Sequence, residues 1–131
     1  MKKTPINPWP WSLAFGYNQG EVLEGQNRQL VCAGQTAVDS NGNPQHPGDM
    51  RGQFMLALDN LEAVLGSAGM SLANITQLTV YATDVDAALQ NFDVFATRMA
   101  PLGAAPPMTL LGVTRLAIPA LLIEIQAAAA D

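Results

Sequence analysis

Two patterns set next to each other in the middle of the chain constrain its fold most. From Met50 the apolar positions Met50, Phe54, Ala57, Leu58, Leu61, Leu65 and Ala68 recur at helical spacing, and Gly69 is placed to end the helix. Shortly after, Ile75 to Ala82 reads as a strand, with Leu78, Val80 and Ala82 on one side and Gln77, Thr79 and Tyr81 on the other. A helix and a strand that are each apolar on one side bury those sides against one another, which requires a helical layer on a sheet. The flanking segments extend this pattern. Tyr17 to Leu23 and Arg28 to Val38 read as two strands around the turn-compatible Glu24-Gly25-Gln26-Asn27, predicting a hairpin. Residues 1 to 16, rich in proline and aromatics, predict little regular structure, and Asp39-Ser40-Asn41-Gly42-Asn43-Pro44 is a turn cluster. Asp84 or Asp86 can cap a second helix running to about Arg98, before Pro101 and Gly103 break it. Met108 to Leu116 and Leu121 to Ala127 are the last two strands, turning around Pro119. The predicted order is β-β-α-β-α-β-β, an α+β two-layer sandwich forming one domain over residues 1–131.

Composition narrows the function classes. With 49% hydrophobic and 13% charged residues in 131, the chain is apolar for a small monomer and is expected to hide surface in an oligomer. The net charge is −5, and Lys2, Lys3, Arg28, Arg51, Arg98 and Arg115 are scattered, so no concentrated cationic footprint exists for nucleic acid. Lys2 and Lys3 are followed by Pro5, Pro8 and Pro10 where a secretory leader would be apolar, so none is read. The apolar run from Leu116 to Ile123 contains Pro119 and falls far short of the roughly 20 residues that span a bilayer, so no membrane association is expected. The single cysteine, Cys32, lies in Leu30-Val31-Cys32-Ala33 and reads as a buried strand residue in a reducing cytoplasm. No basic neighbour would activate it as a nucleophile. His46 pairs with Asp49 for at most two metal ligands, so neither a metal nor another cofactor is expected.

The segment from Pro106 to Ala128, PPMTLLGVTRLAIPALLIEIQAA, carries the chemistry of interest, because it sets Glu124 inside an apolar strand. Burying a charge is costly, so Glu124 is either a residue of a solvated sheet face, alternating with Leu122 and Gln126, or a functional group. Trp9 and Trp11, flanking Pro10, either line a cleft or anchor the N-terminal arm. Tyr17 has an equally plain reading as a half-buried strand tyrosine.

Taken in order, Gly16-Tyr17-Asn18-Gln19-Gly20, Ala33-Gly34-Gln35, Asp59-Asn60-Leu61 with Ala68-Gly69, and Pro106-x-x-Thr109 leading to Ile123-Glu124-Ile125 resemble the Rid/YjgF family over nearly the whole chain. That family includes hydrolases of reactive enamines and imines. The resemblance implies a two-layer protomer, three of which pack their sheets into a homotrimer with small-molecule clefts between neighbours. It further implies that Tyr17 is the cleft tyrosine, that the Gly34 backbone contacts ligand, that Thr109 and Leu110 lie in the substrate-binding segment, and that Glu124 positions water.

Three positions depart from the family's deaminases. Met108 stands where they carry the arginine of a Pro-x-Arg-Ser/Thr motif, Ala33 where they usually have serine, and Phe92, or Asn91 with a one-residue slip, where they have asparagine. An arginine fork grips a carboxylate bidentately, and each lost charge-assisted contact forfeits about 1.5–3 kcal/mol. Arg115, seven residues on, would point to the opposite strand face from Met108 unless a bulge intervenes. Arg28, Arg51 and Arg98 remain possible donors from a neighbouring subunit. The cleft is therefore expected to be less polar than theirs, and small α-imino acids such as those from serine or threonine are expected to be poor substrates. Two functions stay open: a Rid-like hydrolase using Glu124 on an imine or enamine, and a non-catalytic trimer that binds a small molecule. In either, Tyr17, Gly34, Met108, Thr109 and Glu124 are expected to converge on one pocket, with Tyr17 allowed to come from a different subunit than Glu124.

Overall fold

Asp49 opens the long helix by accepting a hydrogen bond on its side chain from Gly52 N at 3.0 Å, the capping pattern that satisfies an orphan first-turn donor. In the computed structural model, which describes residues 1–131, this helix, α1, runs over Met50–Ser67, and Gly69 turns the chain away at φ 74°. A left-handed conformation there favours glycine. The chain then enters β5 (Ile75–Ala82), the central strand. It pairs parallel with β6 (Met108–Gly112) and antiparallel with β7 (Ile123–Ala130). Two short strands, β3 (Gln29–Val31) and β4 (Gln35–Thr36), pair successively along the other edge of β7, giving the order β3-β7-β5-β6 with β4 beside β7.

The helix-facing side of this sheet is the core. Ile75, Leu78, Val80, Ile123 and Ile125 pack against Phe54, Leu58, Leu61 and Leu65, all essentially without exposure. Each such side chain contributes roughly 1.5–3 kcal/mol of burial. The opposite side carries Thr79, Tyr81, Thr109, Leu111, Glu124 and Gln126, which stay half-buried or exposed. A smaller cluster of Ala37, Leu116 and Leu121 packs with Tyr81 and Val113 at one end of the sheet.

The predicted α+β fold is observed, with local differences. Residues 1 to 16 are not irregular: β1 (Lys2–Ile6) pairs antiparallel with β2 (Gly20–Glu24), and Pro10–Phe15 forms a 3₁₀ turn. Pro5 is tolerated because a two-stranded ribbon leaves each strand one unpaired edge. Lys3 Nζ then ties this ribbon to the main sheet through Ala73 O at 2.8 Å and Ile75 O at 2.6 Å. The predicted pairing of residues 17–23 with 28–38 does not form, since β2 takes β1 as its partner while β3 and β4 take β7. The long strand drawn over 28–38 is interrupted between Val31 and Gln35. The second helix breaks into α2 (Val85–Gln90), capped by Asp84, and α3 (Asp93–Met99). At the break Asn91 Nδ2 donates back to Ala87 O, and Phe92 inserts edge-on against Phe54 and Phe95. Finally, β6 stops at Gly112 rather than Leu116. No helix is long and apolar enough to cross a membrane.

Candidate functional site: a carboxylate pocket and an aromatic cleft

Glu124 sits on the open side of β7, in register with Tyr81 of β5 and Thr36 of β4. Two amides on α1 hold the backbone around it. The buried Gln53 accepts from Leu122 N at 2.7 Å and donates to Ala120 O at 2.9 Å and His46 O at 3.2 Å, fixing the chain where it enters β7. Asn60 donates to Thr36 O at 2.8 Å and Val38 O at 3.0 Å, fixing β4. These anchors bring Gly34 against the Glu124 side chain. A Cβ at position 34 would overlap Oε1 and lie 2.7 Å from Cδ, so only glycine leaves the carboxylate where it is. The resulting cavity, about 330 Å³, is walled by Gly34, Tyr81, Arg115, Glu124 and Gln126. Tyr81 donates its hydroxyl to Gln126 Oε1 at 3.0 Å.

A second, larger cavity of about 970 Å³ opens between the Pro10–Phe15 turn, α3 and β6. Trp11, Phe15, Tyr17, Phe92, Met108 and Leu110 line it, and 15 of its 17 lining residues are hydrophobic, so it suits an apolar body. Trp11 stands edge-on to both Tyr17 and Phe15, with ring centroids 6.1 and 6.5 Å apart. Trp11 thus lines the cleft, whereas Trp9 lies outside it and is exposed.

The structure therefore divides the candidate residues. Gly34 and Glu124 meet in one cavity; Tyr17, Phe92, Met108 and Leu110 meet in the other. Strand alternation accounts for the division. Met108 and Leu110 register with the buried Leu78 and Val80 and turn toward the helix side, while Thr109 registers with Thr79 on the Glu124 side. Thr109 and Ala33 are exposed and line neither cavity. Arg115 lies on the opposite side of the sheet from Met108, as the seven-residue spacing implies even though β6 ends at Gly112, and there it lines the Glu124 cavity. Gln53 could have been found from its signal, an amide set between Met50 and Ala57 on the apolar stripe of α1.

Cys32 is 2% exposed, and burial pushes its thiol up, which suits packing and not nucleophilic attack. No group of three or more His, Cys, Asp or Glu side chains lies together as a metal site would need.

Comparison with known proteins gives this arrangement its context. A family model described as Endoribonuclease L-PSP matches residues 12–131. The mitochondrial protein mmf2 of Schizosaccharomyces pombe is 37% identical over 86 residues, a stretch covering 66% of this chain and 64% of mmf2, less than two thirds of its length. The crystal structure of YyfB from Yersinia pestis, a protein of unknown function of the conserved Rid protein family, superposes with a TM-score of 0.83 at 32% identity, over 100% of both chains. Escherichia coli TdcF, solved with bound serine, has a TM-score of 0.70 at 28% identity, over 88% of this chain and 87% of that one. The ordered motifs, the helix-on-sheet layering and these matches agree that the chain belongs to the Rid/YjgF family.

Proposed function

We propose that this protein is a deaminase-type hydrolase of imines and enamines, with a site built jointly by two subunits of a homotrimer. The observation that carries this reading is the division of the site. The carboxylate pocket and the aromatic cleft lie on opposite sides of one sheet, so a small molecule bound to one protomer reaches only one of them. Packing the open sheet side of one copy against the edge of a neighbour formed by its Pro10–Phe15 turn and β6 would bring a carboxylate pocket to that neighbour's cleft. That side also presents Val31, 74% exposed, and Leu111, 46% exposed, apolar surface that association would cover.

In the joint site Glu124 accepts a proton from water as the water oxygen bonds to the imine carbon, then passes that proton to the nitrogen. A second transfer, from the new hydroxyl to the nitrogen, breaks the carbon–nitrogen bond and releases ammonia and the carbonyl compound. Gly34 keeps the carboxylate in place, and the aromatic cleft, with Tyr17 at its wall, orients the substrate's apolar part. Because Met108 leaves the cleft apolar where an arginine would make it polar, small polar α-imino acids find little there to bind, and imines with leucine-, methionine- or phenylalanine-like side chains fit better. A small-molecule role is favoured over RNA cleavage because the chain is acidic and three of its four arginines are already paired with carboxylates. A cytoplasmic location fits the single buried thiol, although the relative mmf2 is named as mitochondrial.

The test generates imines with an amino-acid oxidase and traps them with semicarbazide. Wild-type protein should divert apolar imines from the trap and Glu124→Gln should not. No diversion by the wild type with any imine would favour the second reading, a non-catalytic binding trimer, for which the apolar Met108 cleft is the supporting feature.

A further inference from the structure

We infer that Arg115 is the anion-binding residue of the Glu124 pocket, and that the ligand carries a carboxylate or comparable anionic group gripped from Glu124's side of the site. This rests on the reading of that pocket as half of the functional site.

The first argument is charge accounting. Of the four arginines, Arg28 pairs with Asp131, Arg51 with Asp93 at 2.7 Å, and Arg98 with both Asp59 at 2.8 Å and Glu62 at 2.7 Å. Arg115 alone forms no ion pair, although it shares a cavity with Glu124. The second is preorganisation. Its Nε donates to Leu116 O at 3.2 Å and its Nη2 to Ala117 O at 3.1 Å, which orients the fork and leaves further N–H donors of the guanidinium unused. The backbone there is pinned by Leu116, buried in the small cluster with Ala37 and Leu121. The third is electrostatic. An anionic ligand beside Glu124 meets like-charge repulsion unless a cation faces it, and the unpaired guanidinium in the same cavity supplies that cation. The polar wall formed by Tyr81 and Gln126 suits a charged group better than the aromatic cleft does. The substrate is accordingly amphipathic, with its anionic end at Arg115 and its apolar body in the neighbour's cleft.

The experiment measures, by titration calorimetry, binding of the α-keto acid of leucine and of its uncharged methyl ester to the wild type, Arg115→Met and Arg115→Lys. The keto group stands in for the imine. The wild type should bind the acid at least about tenfold more tightly than the ester, the contribution expected of a charge-assisted contact. Arg115→Met should lose that preference and Arg115→Lys should keep part of it, with ester binding the same in all three. A wild type without the preference, or an Arg115→Met that retains it, overturns the inference. Imine hydrolysis by Glu124→Gln, followed in parallel, separates the two levels. Loss of hydrolysis there with the acid preference intact in Arg115→Met refutes the arginine's role alone. Unaltered hydrolysis with the preference lost refutes Glu124 as the proton carrier and leaves the anion site standing.

Discussion

Adding a single methyl group at position 34 should separate catalysis from stability. In Gly34→Ala the new Cβ would lie 2.7 Å from Cδ and 2.9 Å from Cγ of Glu124, whereas comfortable carbon contacts begin at about 3.5 Å. The backbone of residue 34 is not in the left-handed region, so alanine is not strained there, and the clashing atoms belong to a half-buried side chain that can swing away. Moving Glu124 off its rotamer costs about 0.5–1.5 kcal/mol. The stiffer unfolded chain returns about 0.4–1 kcal/mol. The net change in folding stability is therefore near zero. The carboxylate, however, is displaced by about 1 Å, an error that lowers kcat by about a hundredfold, or about 2.7 kcal/mol of transition-state stabilisation. The assay is the oxidase-coupled imine trap run beside urea unfolding of the same preparation. An unfolding midpoint like that of the wild type with kcat reduced about a hundredfold supports the role assigned to Gly34 and Glu124. Full activity in Gly34→Ala, or activity lost only in step with unfolding, refutes it.

Gln53→Ala should destabilise the fold by about 2–4 kcal/mol in urea titration, because it strips partners from the Leu122 N–H and the Ala120 and His46 carbonyls. Met108→Arg should add a cation to the aromatic cleft and raise kcat/KM on serine- and threonine-derived imines about tenfold, and a further Glu124→Ala should abolish the gain. Stability should hold from neutral pH down to the ordinary aspartate value of 3.8 and decline below it. The side-chain hydrogen bond and charge of Arg51 hold Asp93 low, and those of Arg28 hold Asp131 low, so the stability that each ionised form contributes is lost as pH falls through its depressed folded value. Asp93→Asn should flatten part of that decline in acid titrations of the urea midpoint.

Long periodic elements were readable because burial on one side dictates their residues. Leu58, Leu61 and Leu65 mark α1, and the alternation from Gln77 to Ala82 holds in β5, where a register shift between Ile75 and Gln77 puts Ile75 on the buried side as well. What the pattern could not supply were features decided by partners distant in sequence. β1 contains Pro5 and is stabilised by β2 and by Lys3 reaching Ala73 and Ile75, none of which leaves a local signature. The break after Val31 brings Gly34 against Glu124, and the break at Asn91 is set by Phe92 filling space beside Phe54. For the site, Glu124 was legible as a carboxylate in an apolar strand. That Met108 and Thr109 turn to opposite sides follows from the pleat, but which side each takes depends on register with Leu78 and Thr79. Arg115 takes the side opposite Met108 that its spacing implies; that Glu124 shares that side with it depends on the register of β7 against β5, which no local pattern supplies.

Subunit complementation tests the two-subunit site most directly. Tyr17→Ala removes a wall of the aromatic cleft and Glu124→Gln removes the proton carrier, so each variant alone should be inactive. If each site joins halves from different subunits, trimers assembled from an equal mixture should regain about a quarter of wild-type imine hydrolysis, since about one site in four then combines two intact halves. A mixture no more active than the two pure variants, in particles verified by light scattering to contain both, would contradict the account.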